Sequence, residues 1–537
     1  MSFINITTNN QSRQLRSVST VIDNWVYIPG NTVTGDYTKP YAITSLDEFK
    51  SQFGDFEVEG SRTFDYVTGV LSAGLPVIFQ RIVGQYNQEP DPAQTRRAGV
   101  AHITKQTTTE GEGDNAHTVT KDVPQLTIYA KYPGTFGNKL TITTEETETS
   151  LWVTVYYGYT QLETKRLAVF EKDESRTSKN AKIMANIKNI DYEFDYIKID
   201  LDAKITAETF DFPKYDKKEL NATFVGTDYP DNLVATQIPE YIKNMADRLL
   251  WQPKFITSGG YTDGKTDATK SIAEAMKKLT KERQDCRALI DAPIHCSAAE
   301  YKSFAQAVQY TQTSDTELIP SASMYAPWLY MTIGSNTGWM PGSYAFLVTA
   351  GAAVSGGTPI YTPKAGLISG VVNGVIRPEI EIGSSVVEDW QKNNEVNINP
   401  IMRLQGGDYI IGGNSTLLLP DAYSGENNAM LESSADLTVI EIRRFVYNIA
   451  QELQYQYNSA ESFETFSVRT SQFLNTMISN GAVTDYEIID TSSDANPRTL
   501  SITLNVLLSP TIKYINILLN VNYGSIELTT NTNGGAE

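Results

Sequence analysis

The hydrophobic pattern of this chain changes character twice. From residue 21 to about 84 short apolar runs alternate with helix-like stretches: Val26-Tyr-Ile reads as strand, Leu46 to Lys50 and Arg62 to Leu71 as helices, and Pro76 to Val83 as a buried strand. Between about 85 and 231 the pattern is mostly β. The strands expected there are Gln125 to Ala130, Leu140 to Thr143, Leu151 to Tyr157 and Arg166 to Phe170, with one helix near 179–189. From about 232 the mixed pattern returns, with helical runs at 234–249, 268–282, 297–310, 435–454 and 461–479 around a short strand, Ala288 to Asp291. A chain ordered in this way reads as αβ with one inserted, mostly β domain. The fold class expected is therefore α+β and multidomain: an αβ core from the C-terminal half with N-terminal contributions, plus an inserted, mostly-β outer domain. The boundaries read as an arm at 1–20, an αβ segment at 21–84, the insertion at 85–231, the core at 232–523 and a second arm at 524–537. The polar, Gly- and Pro-rich stretch 84–123 reads as a linker or long surface loop.

The C-terminal strands are the clearest local signal. Leu500, Ile502, Leu504, Val506 and Leu508 fall on one face of a period-two run, and Ile515, Ile517, Leu519, Val521 and Tyr523 repeat the pattern after Ser509-Pro510. The second run carries only Lys513 as a charge, which makes a bare edge hazardous. Two shorter alternations lie at the extremities, Ile4/Ile6 and Ile526/Leu528, each on a polar or Gly-containing hinge. Segments so short gain a row of backbone hydrogen bonds by adding to another chain's sheet, although periodicity alone fits an ordinary edge strand equally well.

The formal charge is −19, from 63 acidic and 44 basic side chains. That balance argues against direct nucleic-acid binding, which rests on Lys and Arg displacing counterions, and favours docking against a basic surface. Two cysteines, Cys286 and Cys296, exclude a disulfide framework. The start of the chain lacks the apolar segment of a signal peptide, and the longest apolar stretch, Ala345 to Val354, is far short of a span. The expectation is a soluble, non-secreted protein with no membrane insertion, in which the sequons at Asn5, Asn221 and Asn414 carry no meaning.

One motif suggests chemistry. GGYTDGKT, residues 259–266, satisfies the phosphate-loop pattern G-x-x-x-x-G-K-S/T between a strand at 253–257 and a helix at 271–279. Chance produces that pattern in roughly 2% of chains this long, so context decides. Tyr261 is bulky where the loop must close, Asp263 puts a carboxylate where polyphosphate would lie, and Asp267 as N-cap starts the helix late. The reading is a glycine turn, not a nucleotide hydrolase. His102 and His117 fall in the polar stretch, and His295 beside Cys296 lacks a third group; spacing for metal ligands is absent. No catalytic, metal or cofactor residues are expected, and no cofactor.

The remaining segments resemble one family, the contractile tail sheath proteins of bacteriophages. AKYPGTFGNKL at 130–140 is similar to the family's A-x-Y-P-G-T-W-G-N-x-L, with Phe136 in place of the usual Trp. PYAITSLDEFKSQFG (40–54) and GLPVIFQRIV (74–83) resemble two further sheath elements, and Gly259, Gly260, Asp263 and Gly264 resemble the G-G-x-D-G turn with one extra residue. YAPWL (325–329), PKAG (363–366), NPIMR (399–403) with GGNSTL (412–417), IRRFVYNI (442–449) and FLNTMISNGA (473–482) follow in the family's order. Gly413 and Asn414 depart from it.

The resemblance implies a structural subunit, not an enzyme, that polymerises helically around a tail tube and contracts to drive it through the host envelope. It implies inter-subunit arm strands at Phe3, Ile4, Asn5 and Ile6 and at Ser525, Ile526, Glu527 and Leu528. The receiving sheet would be Leu500, Ile502, Leu504, Val506, Ile515, Ile517, Leu519 and Val521. A C-terminal helix contacts the tube in relatives, often through positive charge, and Arg469 is the candidate for that role here. Implied partners are further copies of the chain, the tail tube protein, and baseplate and tail terminator proteins. The place is the virion, after assembly in the host cytoplasm. A sheath of a phage-derived injection device, of bacteriocin or secretion-system type, has the same mechanics. The insertion resembles outer decorations of sheaths, with Tyr156, Tyr157 and Tyr159 expected to pack between strands.

Overall fold

The computed structural model describes residues 24–82, 99–110, 117–220 and 231–512, apart from short breaks at 56, 58–60, 133–134, 266–269, 315–316, 392–394, 405–406, 421–427 and 493–497. The arm residues 1–20 and 524–537, and the expected strand at 515–523, lie outside the described residues, as does Asp267.

A nine-stranded sheet organises the core. Its order is Val371–Val372, Tyr409–Ile411, Asn399–Arg403, Ala322–Ala326, Arg287–Ile290, Phe255–Ile256, Val26–Gly30, Val77–Arg81 and Tyr41–Ile43. Six neighbours, from Asn399–Arg403 through Val77–Arg81, run parallel, and the flanking strands pair antiparallel. Val26–Gly30 lies beside Phe255–Ile256 with Val26 opposite Phe255, so the N-terminal segment enters the C-terminal sheet across the insertion. Parallel strands buried on both faces read as continuous apolar runs. Val26–Gly30, Val77–Arg81, Arg287–Ile290 and Ala322–Ala326 are buried at every position.

Alternate residues of these strands enter two cores. Val26, Ile28, Val77, Phe79, Phe255 and Leu289 face one side, with Phe49, Tyr66, Phe346, Leu437 and Leu474 from the covering helices. Tyr27, Ile78, Ile256, Ala288 and Ile290 face the other, under Ile238, Met276, Phe304 and Trp390. The apolar stretch at 345–354 forms most of the Gly342–Ser355 helix, which is buried around most of its surface and therefore shows little amphipathic stripe.

The insertion has its own core of Leu126, Ile128, Leu140, Ile142, Val153, Val155, Leu167 and Ile183. A four-stranded sheet (Lys218–Glu219, Leu140–Glu146, Ser150–Tyr157, Thr160–Val169) and a three-stranded one (Gly99–Glu110, His117–Ala130, Ile197–Leu201) supply it. The expected loop at 84–123 is corrected over part of its length: Gly99–Glu110 and His117–Ala130 pair antiparallel from Gly99 opposite Tyr129 to Glu110 opposite His117. The polar Thr-rich sequence there has no apolar alternation to announce a strand, yet Thr suits β backbone. The tyrosines divide. Tyr157 stacks on Phe136 at 4.7 Å, as packing requires, whereas Tyr159 at the hairpin tip is fully exposed.

Candidate inter-subunit face

Two long helices and a hairpin follow the last core strand. Ser433–Leu453 lies on the sheet and is fastened by charge. The fully buried Arg287 guanidinium donates to the Asp436 carboxylate (Nε to Oδ2 3.0 Å) and to the Ser433 carbonyl. One and a half turns on, Glu441 pairs with the ammonium of Lys254, both side chains buried. Lys254 also donates to Asn24 Oδ1 at 2.6 Å. Such pairs add little net stability because desolvation offsets their attraction, but removing one partner is costly. They fix where the helix lies.

Ala460–Ser479 packs against that helix, with Phe445 and Phe473 stacked at 4.0 Å. Arg469 spans the two, its Nη1 2.8 Å from Glu452 Oε2. The candidate tube contact is thus engaged within the chain, its side chain only a quarter exposed.

Beyond Gly481, Val483–Asp490 and Ile502–Leu508 form an antiparallel pair. Leu504, Val506 and Leu508 pack toward the core with Tyr486, as the period-two reading expects. Leu500 precedes the strand, which begins at Ile502. The other face carries Asp485, Glu487 and Ile489 against Leu507, Asn505 and Thr503, all exposed. Among the described residues neither outer edge of this pair meets a further strand. After Pro510, Thr511 Oγ1 donates to Glu432 Oε2 at 2.8 Å, and the described chain ends at 512.

The glycine turn resolves the phosphate-loop question. Gly259 and Gly260 adopt φ of 66° and 85°, and a Cβ at Gly259 would lie 2.0 Å from the Pro29 carbonyl oxygen. The buried Asp263 carboxylate then reaches the start of the Ser271–Arg283 helix. It accepts from Ile272 N at 3.1 Å, Ala273 N at 3.2 Å and Ser271 Oγ at 3.1 Å. A phosphate would need those same amides. Lys265 pairs with Glu300 at 3.3 Å and donates to the His295 carbonyl. Tyr261 is buried, its hydroxyl 3.2 Å from Thr63 Oγ1.

No family model and no curated protein matches the sequence. Solved structures do. The sheath tail protein of Listeria innocua superposes with a TM-score of 0.54 at 12% identity, over 91% of this chain and 92% of that one. The sheath tail protein of Desulfitobacterium hafniense gives 0.55 at 12% identity over 95% and 99%. The chain has the sheath tail protein fold. A chain of the anti-feeding prophage baseplate in its contracted state gives 0.50 at 12% identity over 97% and 98%. The sheath-like motifs of the sequence occupy structural positions within this fold. Trp328 of YAPWL is buried with Nε1 2.7 Å from the Ala292 carbonyl, and Asn399 of NPIMR donates to the Met324 carbonyl at 3.1 Å.

The sequence reading missed the buried charges Lys254, Arg287, Asp436 and Glu441. Its available signal was a lone cation inside each of two short apolar runs, Pro253 to Ile256 and Cys286 to Ile290.

Proposed function

We propose that the chain is the structural subunit of a contractile phage tail sheath. Copies stack helically around a tail tube in an extended, high-energy form. Arms at 1–20 and 524–537 of neighbouring copies, pairing through Phe3 to Ile6 and Ser525 to Leu528, add strands to the C-terminal sheet that holds Leu500, Ile502, Leu504 and Val506 and Ile515, Ile517, Leu519 and Val521. A baseplate signal lets each subunit swing outwards while the paired arms act as hinges. Core-to-core packing then increases and drives the tube through the envelope, with no nucleotide consumed. Tube, baseplate and terminator proteins are its partners, and the tail particle is its place.

The observation that carries this reading is the two-stranded sheet whose outer edges meet no strand among the described residues. Open edges are templates for pairing. A strand of four or five residues adds roughly four backbone bonds, or about 2–6 kcal/mol net. Deleting residues 1–10 or 525–537 should leave a folded subunit that forms no sheaths by electron microscopy; normal sheaths from either deletion refute the arms. The likeness to an anti-feeding prophage baseplate chain favours a second reading, a sheath of an injection device with the same mechanics. Neighbouring capsid genes would select the phage.

A further inference from the structure

A cleft of about 360 Å³ opens where the Ser433–Leu453 helix passes the end of the Ser271–Arg283 helix. Arg248, Arg283, Arg443 and Arg444 line it, with Asp285 as the one acidic lining residue. Arg283 and Arg444 are occupied inside the molecule: Arg283 pairs with Asp285 at 2.8 Å, and Arg444 donates to the carbonyls of Gln252, Pro253 and Asp285. Arg443 is exposed and Arg248 half-buried. Arg248 donates to the carbonyls of Glu282 and Arg283 and sits over the Tyr447 ring, while Arg443 bonds Gln284 Oε1 at 2.8 Å. The oxygens that Arg248 and Arg443 bond are backbone carbonyls and the Gln284 amide. Leu249 and Leu250 follow Arg248 in the chain and are 74% and 71% exposed. Arginine and tyrosine are enriched at interface centres, and the exposed leucines add apolar area beside them.

The complementary surface is on the same chain. The outer face of the hairpin presents Asp485 and Glu487 two residues apart, about 7 Å along one strand, beside exposed Ile489 and Leu507. Its inner face already packs against the chain's own core, and the outer face covers nothing among the described residues. A net charge of −19 makes a concentrated basic cleft on this molecule a receptor for its own kind.

We propose that the cleft receives the outer face of the hairpin of a second copy, Arg248 and Arg443 meeting Asp485 and Glu487. The contact is separate from strand exchange, which uses the hairpin's edges. It rests on the reading of the chain as a self-assembling subunit and names the surfaces that join.

The test is a charge swap in the full-length chain. Sedimentation reads self-association and electron microscopy reads sheaths; circular dichroism confirms folding. Arg248→Glu with Arg443→Glu should raise the concentration needed for association at least about tenfold, as should Asp485→Lys with Glu487→Lys. The four substitutions combined should bring it back to within about threefold of the parent. A folded arginine double variant that associates like the parent overturns the proposal, as does a fourfold variant that stays as weak as either pair. A parent that is monomeric at every concentration overturns it too, whereas a parent that associates without forming tubes counts only against the sheath reading.

Discussion

The Lys254–Glu441 pair gives a direct handle on how rigidly the C-terminal helix is held. Both side chains are buried, at 0% and 4% exposure. Replacing Glu441 by Leu leaves the ammonium in the interior without its carboxylate. Two charges in contact at an effective dielectric near 20 attract by at least about 4 kcal/mol, and breaking a buried pair from one side costs about 3–5 kcal/mol. Lys254→Met combined with Glu441→Leu removes both charges at similar volume, and the expected cost is under about 2 kcal/mol. Hydrogen–deuterium exchange of the amides in Ser433–Leu453 reads this locally. The single variant should exchange there roughly 10²- to 5 × 10³-fold faster than the parent, the double variant less than about 30-fold. A single variant that exchanges like the parent, or a double variant as fast as the single, refutes the account of this pair as the clamp.

Three further outcomes follow from the same geometry. Asp263→Ala strips the Ile272 and Ala273 amides of their acceptor and should cost about 1–2 kcal/mol in thermal or chemical denaturation. Lys265→Ala should leave calorimetric titrations with ATP and GTP as flat as those of the parent; saturable binding by the parent that this variant abolishes would restore the nucleotide reading. Burial pushes the Asp291 carboxyl up to about 7, although Ser343 N and Oγ donate to it at 3.0 and 2.6 Å. The folded state therefore holds this proton more tightly than the unfolded chain, so its contribution to stability falls as pH rises from about 4 to about 7. The difference in denaturation midpoint between Asp291→Asn and the parent should shift in favour of the variant across that window, and a pH-independent difference would contradict the assignment.

Much of the architecture was legible because it rests on local regularities. The strand Ile502–Leu508 follows its period-two sequence, and the helices at 433–453 and 460–479 fall within two residues of the apolar pattern. Asp263 was readable as a turn residue hostile to phosphate; that it caps a helix eight to ten residues ahead was not, because capping by a distant side chain leaves no fixed spacing. The sequence reading expected Val26–Gly30 in the core, but not its pairing with Phe255–Ile256. Parallel pairing across an insertion is set by packing of both faces, which no local window contains. Gln125 to Ala130 was read as strand, but the rest of its hairpin, from Gly99 to about residue 123, was hidden by its polar residues, and the Gly342–Ser355 helix by being apolar on nearly every side. Within the candidate face, sequence located the Ile502–Leu508 strand and Arg469, but neither the Val483–Asp490 strand paired with it nor the ion pair that engages Arg469, since Glu452 lies on another helix.

The central claim concerns where the chain's two ends go. A cryo-electron microscopy reconstruction of the assembled polymer tests it most directly, by tracing residues 1–20 and 513–537 from each copy. The account predicts that Phe3 to Ile6 and Ser525 to Leu528 run as strands against the C-terminal sheet of adjacent copies, beside Ile502–Leu508 or residues 515–521. Phe3 to Ile6 and Ser525 to Leu528 folded back onto the sheet of their own copy would contradict it.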